Sequence, residues 1–318
     1  MNENAPTSKW FPDCALFLAL AFALRLGFML AMPRVLDTAD GIHYLAQARH
    51  IADANVQALD PRIPVLYPAL TAIASCIVPD VEQAATIVSL IASMLLIIPI
   101  YALARRMHGR RAARIAALAV AVWPWLIDYA SRVGPDALGC TLWFFGAWFL
   151  AAGIRSTGWR TLPWLIAAAL AYFALHITRA EGTYVAIAAA VAAIALCWRK
   201  PWLHWARLAT FCALFAALFF ANAHYASRVI GNTTAAVRTQ DILRDLDLIP
   251  LLATAVNTLC EKLPLVLGPA LLLFLGLGIF YRGGRDTLND PPRDLPFEAY
   301  LLLLAAAQWF LSLFVLSP

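Results

Sequence analysis

The segment IPVLYPALTAIASCIV, residues 63–78, decides how this chain is threaded through a membrane. It is apolar, but it is short and contains Pro64 and Pro68. A helix needs about 20 residues to cross the hydrocarbon core of a bilayer, and this segment falls below that length. Whether it crosses matters, because counting it as a span would move every later loop to the opposite side.

Longer apolar stretches around this segment predict an integral membrane protein. Hydrophobic residues make up 62% of the chain and charged residues 14%, whereas soluble domains carry about 25% charged residues. The stretches of spanning length are 11–32, 84–104, 115–131, 136–154, 161–178, 183–198, 206–224, 263–281 and 297–317. The first lacks a clear A-x-A cleavage site and is too long for a signal peptide, so we expect a retained anchor.

The positions of Lys and Arg predict the orientation. If 63–78 does not cross, every strongly basic short loop falls on one side, which the positive-inside rule assigns to the cytoplasm. The basic residues of that side are Lys9, Arg105, Arg106, Arg110, Arg111, Arg114, Arg155, Arg160, Arg199, Lys200, Arg207, Arg282, Arg285 and Arg293. The N-terminus would then be cytoplasmic and 63–78 would lie in the outer interface.

The predicted fold class is therefore an all-α polytopic membrane protein of about nine transmembrane helices, with interfacial helices in its first extracytoplasmic loop. We expect a single transmembrane domain, 1–318, with two large outer loops at 33–83 and 225–262. The net charge of +5 follows from the basic inner loops, so it indicates contact with the lipid bilayer and no nucleic acid partner.

The first outer loop contains LDTADGIHYLAQARHIADA, residues 36–54, whose apolar residues recur at helical spacing. An amphipathic helix lying along the membrane is expected from about Gly41. Asp40 would then occupy its N-cap, with Asp37 just before it. Capping alone explains an aspartate at this position, so the residue type leaves both a structural and a chemical role open.

Two further polar breaks face the same side. In SRVGPDALG (131–139), Arg132 and Asp136 flank a Gly-Pro turn, and a simple N-cap is one explanation of the acid. In HITRAEG (176–182), Arg179 and Glu181 interrupt a long apolar run. Charges at such a break usually turn inward or toward water and mark functional sites, although an ordinary loop with a local ion pair remains the alternative.

Arg25 lies inside the first span and Asp128 near the outer end of the third. A charged side chain inside a membrane needs a carboxylate, backbone carbonyls or a route to the interface, and an ion pair between these two is one hypothesis. The six cysteines have no paired spacing, and no group of residues has the spacing of a metal site.

The order of these segments resembles the GT-C glycosyltransferases, near the protein O-mannosyltransferase and aminoarabinose transferase branch (glycosyltransferase family 39-like). The resemblance depends on short motifs in sequence order and covers roughly residues 12–200. The motifs are ADGIHYLAQA (39–48), VLYPAL (65–70), LARRMHGRRAARIAAL (103–118), SRVGPDALG (131–139) and ITRAEG (177–182).

The resemblance implies an enzyme of the bacterial inner membrane that transfers a hexose or pentose. The donor would be a polyprenyl-phosphate sugar, the acceptor a lipid, glycan or protein, and the active site extracytoplasmic. Asp40 looks like the general base for the acceptor hydroxyl, and Arg179 and Arg132 look like partners of the donor phosphate. The residues in supporting positions are Asp37, Tyr44, Asp136 and Glu181.

Two questions stay open at this stage. The paired acids of some relatives are replaced here by Asp37 and Asp40, so dependence on a divalent metal is undecided, and no other cofactor is expected. A polytopic transporter or lipid flippase is the main alternative function, although its usual internal repeat is absent from this sequence. A non-catalytic scaffold subunit of an envelope assembly is a further alternative function.

Overall fold

The computed structural model describes residues 10–32, 39–60, 63–179, 181–198 and 200–229, together with residues 300 and 303. Within these ranges the chain forms helices and no strand, which confirms the predicted all-α class. Asp37, the span 263–281, and nearly all of the span 297–317 and of the loop 225–262 lie outside the described residues.

Ten α-helices follow one another along the described chain. They are α1 Trp10–Ala31, α2 Ala39–Ala52, α3 Leu66–Ser75, α4 Val81–Leu95, α5 Ile97–Val122, α6 Pro124–Ser131, α7 Asp136–Arg155, α8 Thr161–His176, α9 Gly182–Cys197 and α10 Trp202–Val229.

By length and hydropathy, four segments of the described chain are suited to cross a membrane: Pro12–Ala31, Val81–Arg106, Asp136–Arg155 and Trp202–Tyr225. A bent pair, His108–Val122 with Pro124–Ser131, makes a fifth if it counts as one span broken by 50°. These segments coincide with five predicted spans. The predicted spans 161–178 and 183–198 form α8 and α9, each only 16 residues long. The chain is thus a multi-pass membrane protein.

The segment that decides the threading forms only the ten-residue helix α3. Such a helix is about 15 Å long, half the thickness of the hydrocarbon core. The chain then turns into α4, whose N-cap Asp80 accepts a hydrogen bond from the Glu82 backbone N–H at 3.0 Å. Helix α3 packs against both α2 and α4, and its predicted place in the outer interface remains a prediction.

The beginning of α1 is bound to the basic loop 105–114. The Asp13 carboxylate accepts hydrogen bonds from Arg110 Nε at 2.7 Å, Arg114 Nη2 at 2.8 Å and the Tyr101 hydroxyl at 2.8 Å. Gly109 breaks α5 within this loop through its positive φ of 79°, a value that glycine adopts without strain. The first turn of α1 and this loop therefore lie at the same end of the bundle, in agreement with their predicted placement on one side.

The predicted pair of Arg25 and Asp128 is wrong. Arg25 is fully buried and donates from Nη2 to the Val120 carbonyl at 3.0 Å and from Nη1 to the Ala121 carbonyl at 2.9 Å. Pro124 has no N–H to bond the Val120 carbonyl four residues before it, so the guanidinium supplies the missing donor. A charge pattern could not reveal a backbone partner of this kind.

The remaining contacts of these two side chains complete the correction. Nε of Arg25 donates to the Ser93 hydroxyl at 2.8 Å, which links α1 to α4. Asp128 instead pairs with Arg132, four residues later, at 2.8 Å.

Helices α7, α8 and α9 pack through small side chains. Ala147, Ala168, Ala189 and Ala193 are all buried in one cluster with the larger Tyr172. Small residues allow helix backbones to approach closely in membranes, where packing drives association. This packing fixes the ends of α7, α8 and α9 relative to one another.

Candidate functional site

The two polar breaks 131–139 and 176–182 meet at the start of α3. The Leu66 backbone N–H donates to the Ile177 carbonyl at 2.8 Å, which joins α3 to the break between α8 and α9. The hydroxyl of the next residue, Tyr67, accepts a hydrogen bond from the Gly134 N–H at 3.0 Å, in the turn between α6 and α7. Two consecutive residues of the VLYPAL motif thus hold both breaks.

Arg179 is held between two carboxylates at this junction. Nη1 donates to Asp136, and Nε donates to Glu181 Oε2 at 3.3 Å. The three side chains are partly exposed, by 33% for Arg179, 44% for Asp136 and 17% for Glu181. The group is therefore both fixed in direction and accessible from one side.

Asp136 is not an N-cap, contrary to the structural alternative considered for it. Pro135 occupies the cap position of α7 without a side-chain cap bond, and Asp136 is the first residue of the helix. Its carboxylate bonds Arg179 from 43 positions farther along the chain. The local ion pair of Arg179 and Glu181 does form, but as part of a link between distant segments.

Two glycines make room for this arrangement. A Cβ on Gly139, one turn into α7, would lie 2.9 Å from Cδ of Arg179, so the glycine lets that side chain cross α7. A Cβ on Gly182 would lie 2.5 Å from the His176 backbone nitrogen. The glycine of ITRAEG is thus required by the close approach of α9 to the end of α8.

Tyr44 of α2 connects the first predicted acid to this group. Burial raises the pKa of Tyr44 to about 12; the positive charge of Arg179 opposes the shift, while the negative charges of Asp40, Asp136 and Glu181 add to it. The Tyr44 hydroxyl therefore remains protonated at neutral pH.

Asp40 lies in the first turn of α2 and is exposed. The sequence predicted that α2 begins at Gly41 with Asp40 as its N-cap. The helix begins two residues earlier, at Ala39, so Asp40 is not the N-cap. A carboxylate in the first turn is stabilised by the helix dipole. Asp37, the other acid of this segment, lies outside the described residues.

Arg132 forms its ion pair with Asp128 on α6, one helical turn before it. Arg132 is 36% exposed, and Asp128 is 27% exposed. The structure therefore directs Arg132 toward α6, whereas Arg179 is directed toward α7. Its predicted contact with a donor phosphate remains a prediction.

The electrostatic balance at the junction favours a permanently charged guanidinium. Burial lowers the pKa of Arg179, but the adjacent carboxylates of Asp136 and Glu181 more than offset this, so its pKa lies above the ordinary value. Among the described residues, no three His, Cys, Asp or Glu side chains are arranged to hold a metal ion. The chemistry this part of the chain offers is a fixed cation beside exposed carboxylates.

Sequence reasoning missed two contributors, Tyr67 and Gly139. Tyr67 is a tyrosine beside a proline within an apolar segment, and that placement of a hydroxyl group is the signal in the sequence. Gly139 ends the SRVGPDALG motif, and only the path of the Arg179 side chain explains it.

Among solved structures, the chain is similar to the archaeal oligosaccharyltransferase AglB from Archaeoglobus fulgidus in complex with an inhibitory peptide and a dolichol-phosphate. The identity is 14%, the TM-score is 0.55, and the match covers 94% of this chain and 39% of AglB. A crystal structure of the Archaeoglobus fulgidus oligosaccharyltransferase with zinc and sulfate matches at 13% identity, with a TM-score of 0.46, over 94% of this chain and 48% of that one. The chain thus shares the fold of AglB but spans less than half its length.

Sequence comparison identifies the family. No curated protein matches the chain. The profile of the dolichyl-phosphate-mannose-protein mannosyltransferases matches residues 62–225, more than half of the chain. The matched region contains α3 to α9, and with them Asp136, Arg179 and Glu181. The chain therefore belongs to the dolichyl-phosphate-mannose-protein mannosyltransferase family, within the GT-C superfamily of membrane glycosyltransferases.

Proposed function

We propose that this protein transfers a hexose or pentose from a polyprenyl-phosphate donor to an acceptor hydroxyl at the extracytoplasmic face of the bacterial inner membrane. The acceptor would be a lipid, a glycan or a protein. The observation that carries the proposal is the contact of α2 with the junction that holds Arg179: the Tyr44 ring packs on Tyr67 of α3, and the neighbouring Leu66 bonds the Ile177 carbonyl. We propose that the acid on α2 and the fixed cation act on one substrate.

The proposed topology has nine spans, a cytoplasmic N-terminus and two outer loops, 33–83 and 225–262, in one transmembrane domain, 1–318. The ion pairs of Asp13 with Arg110 and Arg114 support it, because they hold the start of α1 at the basic end. Cytoplasmic Arg-rich loops are the normal arrangement. The opposite end, with Asp40 and Arg179, would then face outward.

Arg179 is the proposed partner of the donor phosphate. In the described chain Nη2 of Arg179 donates to no protein atom, while Nη1 and Nε are held by carboxylates. An oriented guanidinium forms strong charge-assisted hydrogen bonds to phosphate oxygens. The lipid phosphate named with AglB belongs to the same chemical class as this donor. Arg132, Asp37, Tyr44, Asp136 and Glu181 are proposed as supporting residues.

Asp40 is the proposed general base. Its carboxylate would take the proton of the acceptor hydroxyl as that oxygen bonds to C1 of the sugar. The bond between C1 and the phosphate oxygen breaks, and its electron pair leaves with the polyprenyl phosphate. Arg179 would stabilise the charge that develops on this leaving group. Whether a divalent metal assists is undecided, and no other cofactor is proposed.

The experiment is a transfer assay with the purified protein in lipid nanodiscs. The donors are polyprenyl-phosphate mannose and a polyprenyl-phosphate aminopentose, and released polyprenyl phosphate is measured by mass spectrometry. Asp40→Asn should reduce the rate at least about 100-fold, because a general base contributes at least that factor. Asp53→Asn is the matched control, since Asp53 is an exposed acid just beyond the same helix.

The outcomes separate enzyme from transporter. Release by the wild type and by Asp53→Asn, with none by Asp40→Asn, supports the proposal. Release by Asp40→Asn at the wild-type rate contradicts the role of Asp40. If the protein in sealed proteoliposomes moves donor across the bilayer unchanged, and no sugar is transferred, the protein is a flippase.

A further inference from the structure

Tyr67 is a fully buried side chain whose hydroxyl has three polar neighbours. It is 1% exposed. The hydroxyl accepts from the Gly134 N–H, donates to the Ala85 carbonyl and contacts the Ser89 hydroxyl, each at 3.0 Å. A tyrosine hydroxyl offers one donor and two acceptor sites, and here the donor and at least one acceptor are used.

These bonds hold the turn between α6 and α7 against α4. Ser89 adds a second bond to the same turn, donating from its hydroxyl to the Gly134 carbonyl at 3.3 Å. Gly134 lies two residues before Asp136, the residue that bonds Arg179. The position of Asp136 is therefore set partly by a hydroxyl group on α3.

The same part of α3 contacts the other two segments of the candidate site. Leu66 bonds the Ile177 carbonyl, at the break that carries Arg179. The ring of Tyr67 meets the ring of Tyr44 edge to face, with centroids 5.6 Å apart and planes at 80°. An edge-to-face aromatic pair is a directional contact, so it also fixes α2.

We propose that Tyr67 is a positioning residue of the donor site: its hydroxyl holds the turn at Gly134 so that Asp136 keeps Arg179 directed at the donor phosphate. The inference rests on the proposed function for its consequence in sugar transfer. The mechanical part, coupling between the Tyr67 hydroxyl and the Asp136–Arg179 pair, depends on geometry alone.

The first test measures that coupling without any enzymatic assay. Asp136→Asn, Arg179→Gln and the double variant form a cycle whose coupling is the non-additive change in Tm of the purified protein. The cycle is measured in the wild type and in Tyr67→Phe, which keeps the ring. The coupling should fall to less than half in Tyr67→Phe.

Tyr101→Phe is the matched control. Tyr101 is also fully buried, and its hydroxyl donates to Asp13 at the other end of the bundle, 2.8 Å away. Its loss should lower Tm while leaving the coupling between Asp136 and Arg179 unchanged. If both phenylalanine variants change the coupling equally, or neither does, the proposal is overturned.

The second test uses the transfer assay. Tyr67→Phe should raise the KM for the polyprenyl-phosphate donor about fivefold with kcat changed less than about twofold, the pattern of lost binding common to ground and transition states. Tyr101→Phe should change neither constant. A Tyr67→Phe enzyme with wild-type KM contradicts the role in the donor site.

The two tests separate the two proposals. If the wild type transfers no sugar while the coupling still depends on Tyr67, the proposed function fails and the mechanical inference stands. If the wild type is active and the coupling is unaffected by Tyr67→Phe, the inference fails alone. If Tyr67→Phe does not fold, Ser89→Ala takes its place in both tests. This variant removes a bond to the Tyr67 hydroxyl and a bond to the Gly134 carbonyl, and its results are judged by the same criteria.

Discussion

Nη2 of Arg25 lies 3.0 Å from the carbonyl oxygen of Val120, which lies in the last turn of α5 just before the break at Trp123 and Pro124. The membrane arginine therefore stabilises a helix break. A buried carbonyl without a donor is costly, and in hydrocarbon no water replaces the lost bond.

Replacing Arg25 with methionine should lower the free energy of unfolding. The loss should be about 2 kcal/mol, because a buried group left without its partner costs about 1–3 kcal/mol. Thermal unfolding in detergent measures the change. The control is Arg49→Met, at an exposed position of α2, and equal Tm values for the two variants would disprove the assignment.

Gly182→Ala should disturb the break between α8 and α9. The added Cβ would lie 2.5–2.6 Å from backbone atoms of Leu175 and His176, and backbone cannot move aside as a flexible side chain can. We expect a lower Tm and a loss of sugar transfer. Gly27→Ala on α1 is the matched control, because nothing lies within 4 Å of its Cβ, and it should be neutral or stabilising by about 0.5–1 kcal/mol. If Gly182→Ala and Gly27→Ala have the same Tm and the same activity, the close approach of α9 to α8 does not explain the glycine of ITRAEG.

Asp13→Asn should loosen the basic loop from α1. Arg110 and Arg114 would lose their carboxylate, but they are 39% and 49% exposed. Solvent screening therefore makes the expected loss of stability small. Trypsin sensitivity of the loop 105–114 in nanodiscs should increase. Unchanged cleavage in Asp13→Asn would show that the ion pairs do not secure this loop.

Cysteine labelling tests the proposed orientation. In a cysteine-free background, His43→Cys on the exposed side of α2 and Arg111→Cys in the basic loop are both accessible positions. A membrane-impermeant maleimide added to intact cells should modify position 43, and should modify position 111 only after lysis. The reverse pattern would place the Asp40 end in the cytoplasm and exclude the proposed face.

Apolar length was enough to predict five segments that are long enough to cross a bilayer, counting the bent pair as one, whereas the predicted spans 161–178 and 183–198 form helices of only 16 residues. The short segment 63–78 was expected to form a short helix from its length and prolines, and it forms the ten-residue α3. The hydrogen-bonding partners of buried side chains were harder to predict. Arg25 bonds carbonyls that Pro124 leaves open, and backbone partners leave no mark in a charge pattern.

At the candidate site, the sequence predicted the residue types but not the connections. Arg179 and Glu181 stand out because charges in an apolar run are costly. The bond between Asp136 and Arg179 depends on how α7 and α8 pack. The bond between Tyr67 and Gly134 depends on α3 folding back against α4. Such long-range contacts follow from tertiary packing, which spacing along the chain does not specify.

The most direct test of the central claim is photo-crosslinking with a polyprenyl phosphate that carries a diazirine in its first isoprene unit. The account predicts adducts in both the α2 peptide with Asp40 and the peptide with Arg179, abolished by excess polyprenyl phosphate but not by polyprenol without the phosphate. Adducts confined to the lipid-facing sides of α1 and α10, or equal competition by polyprenol, would contradict a shared phosphate site.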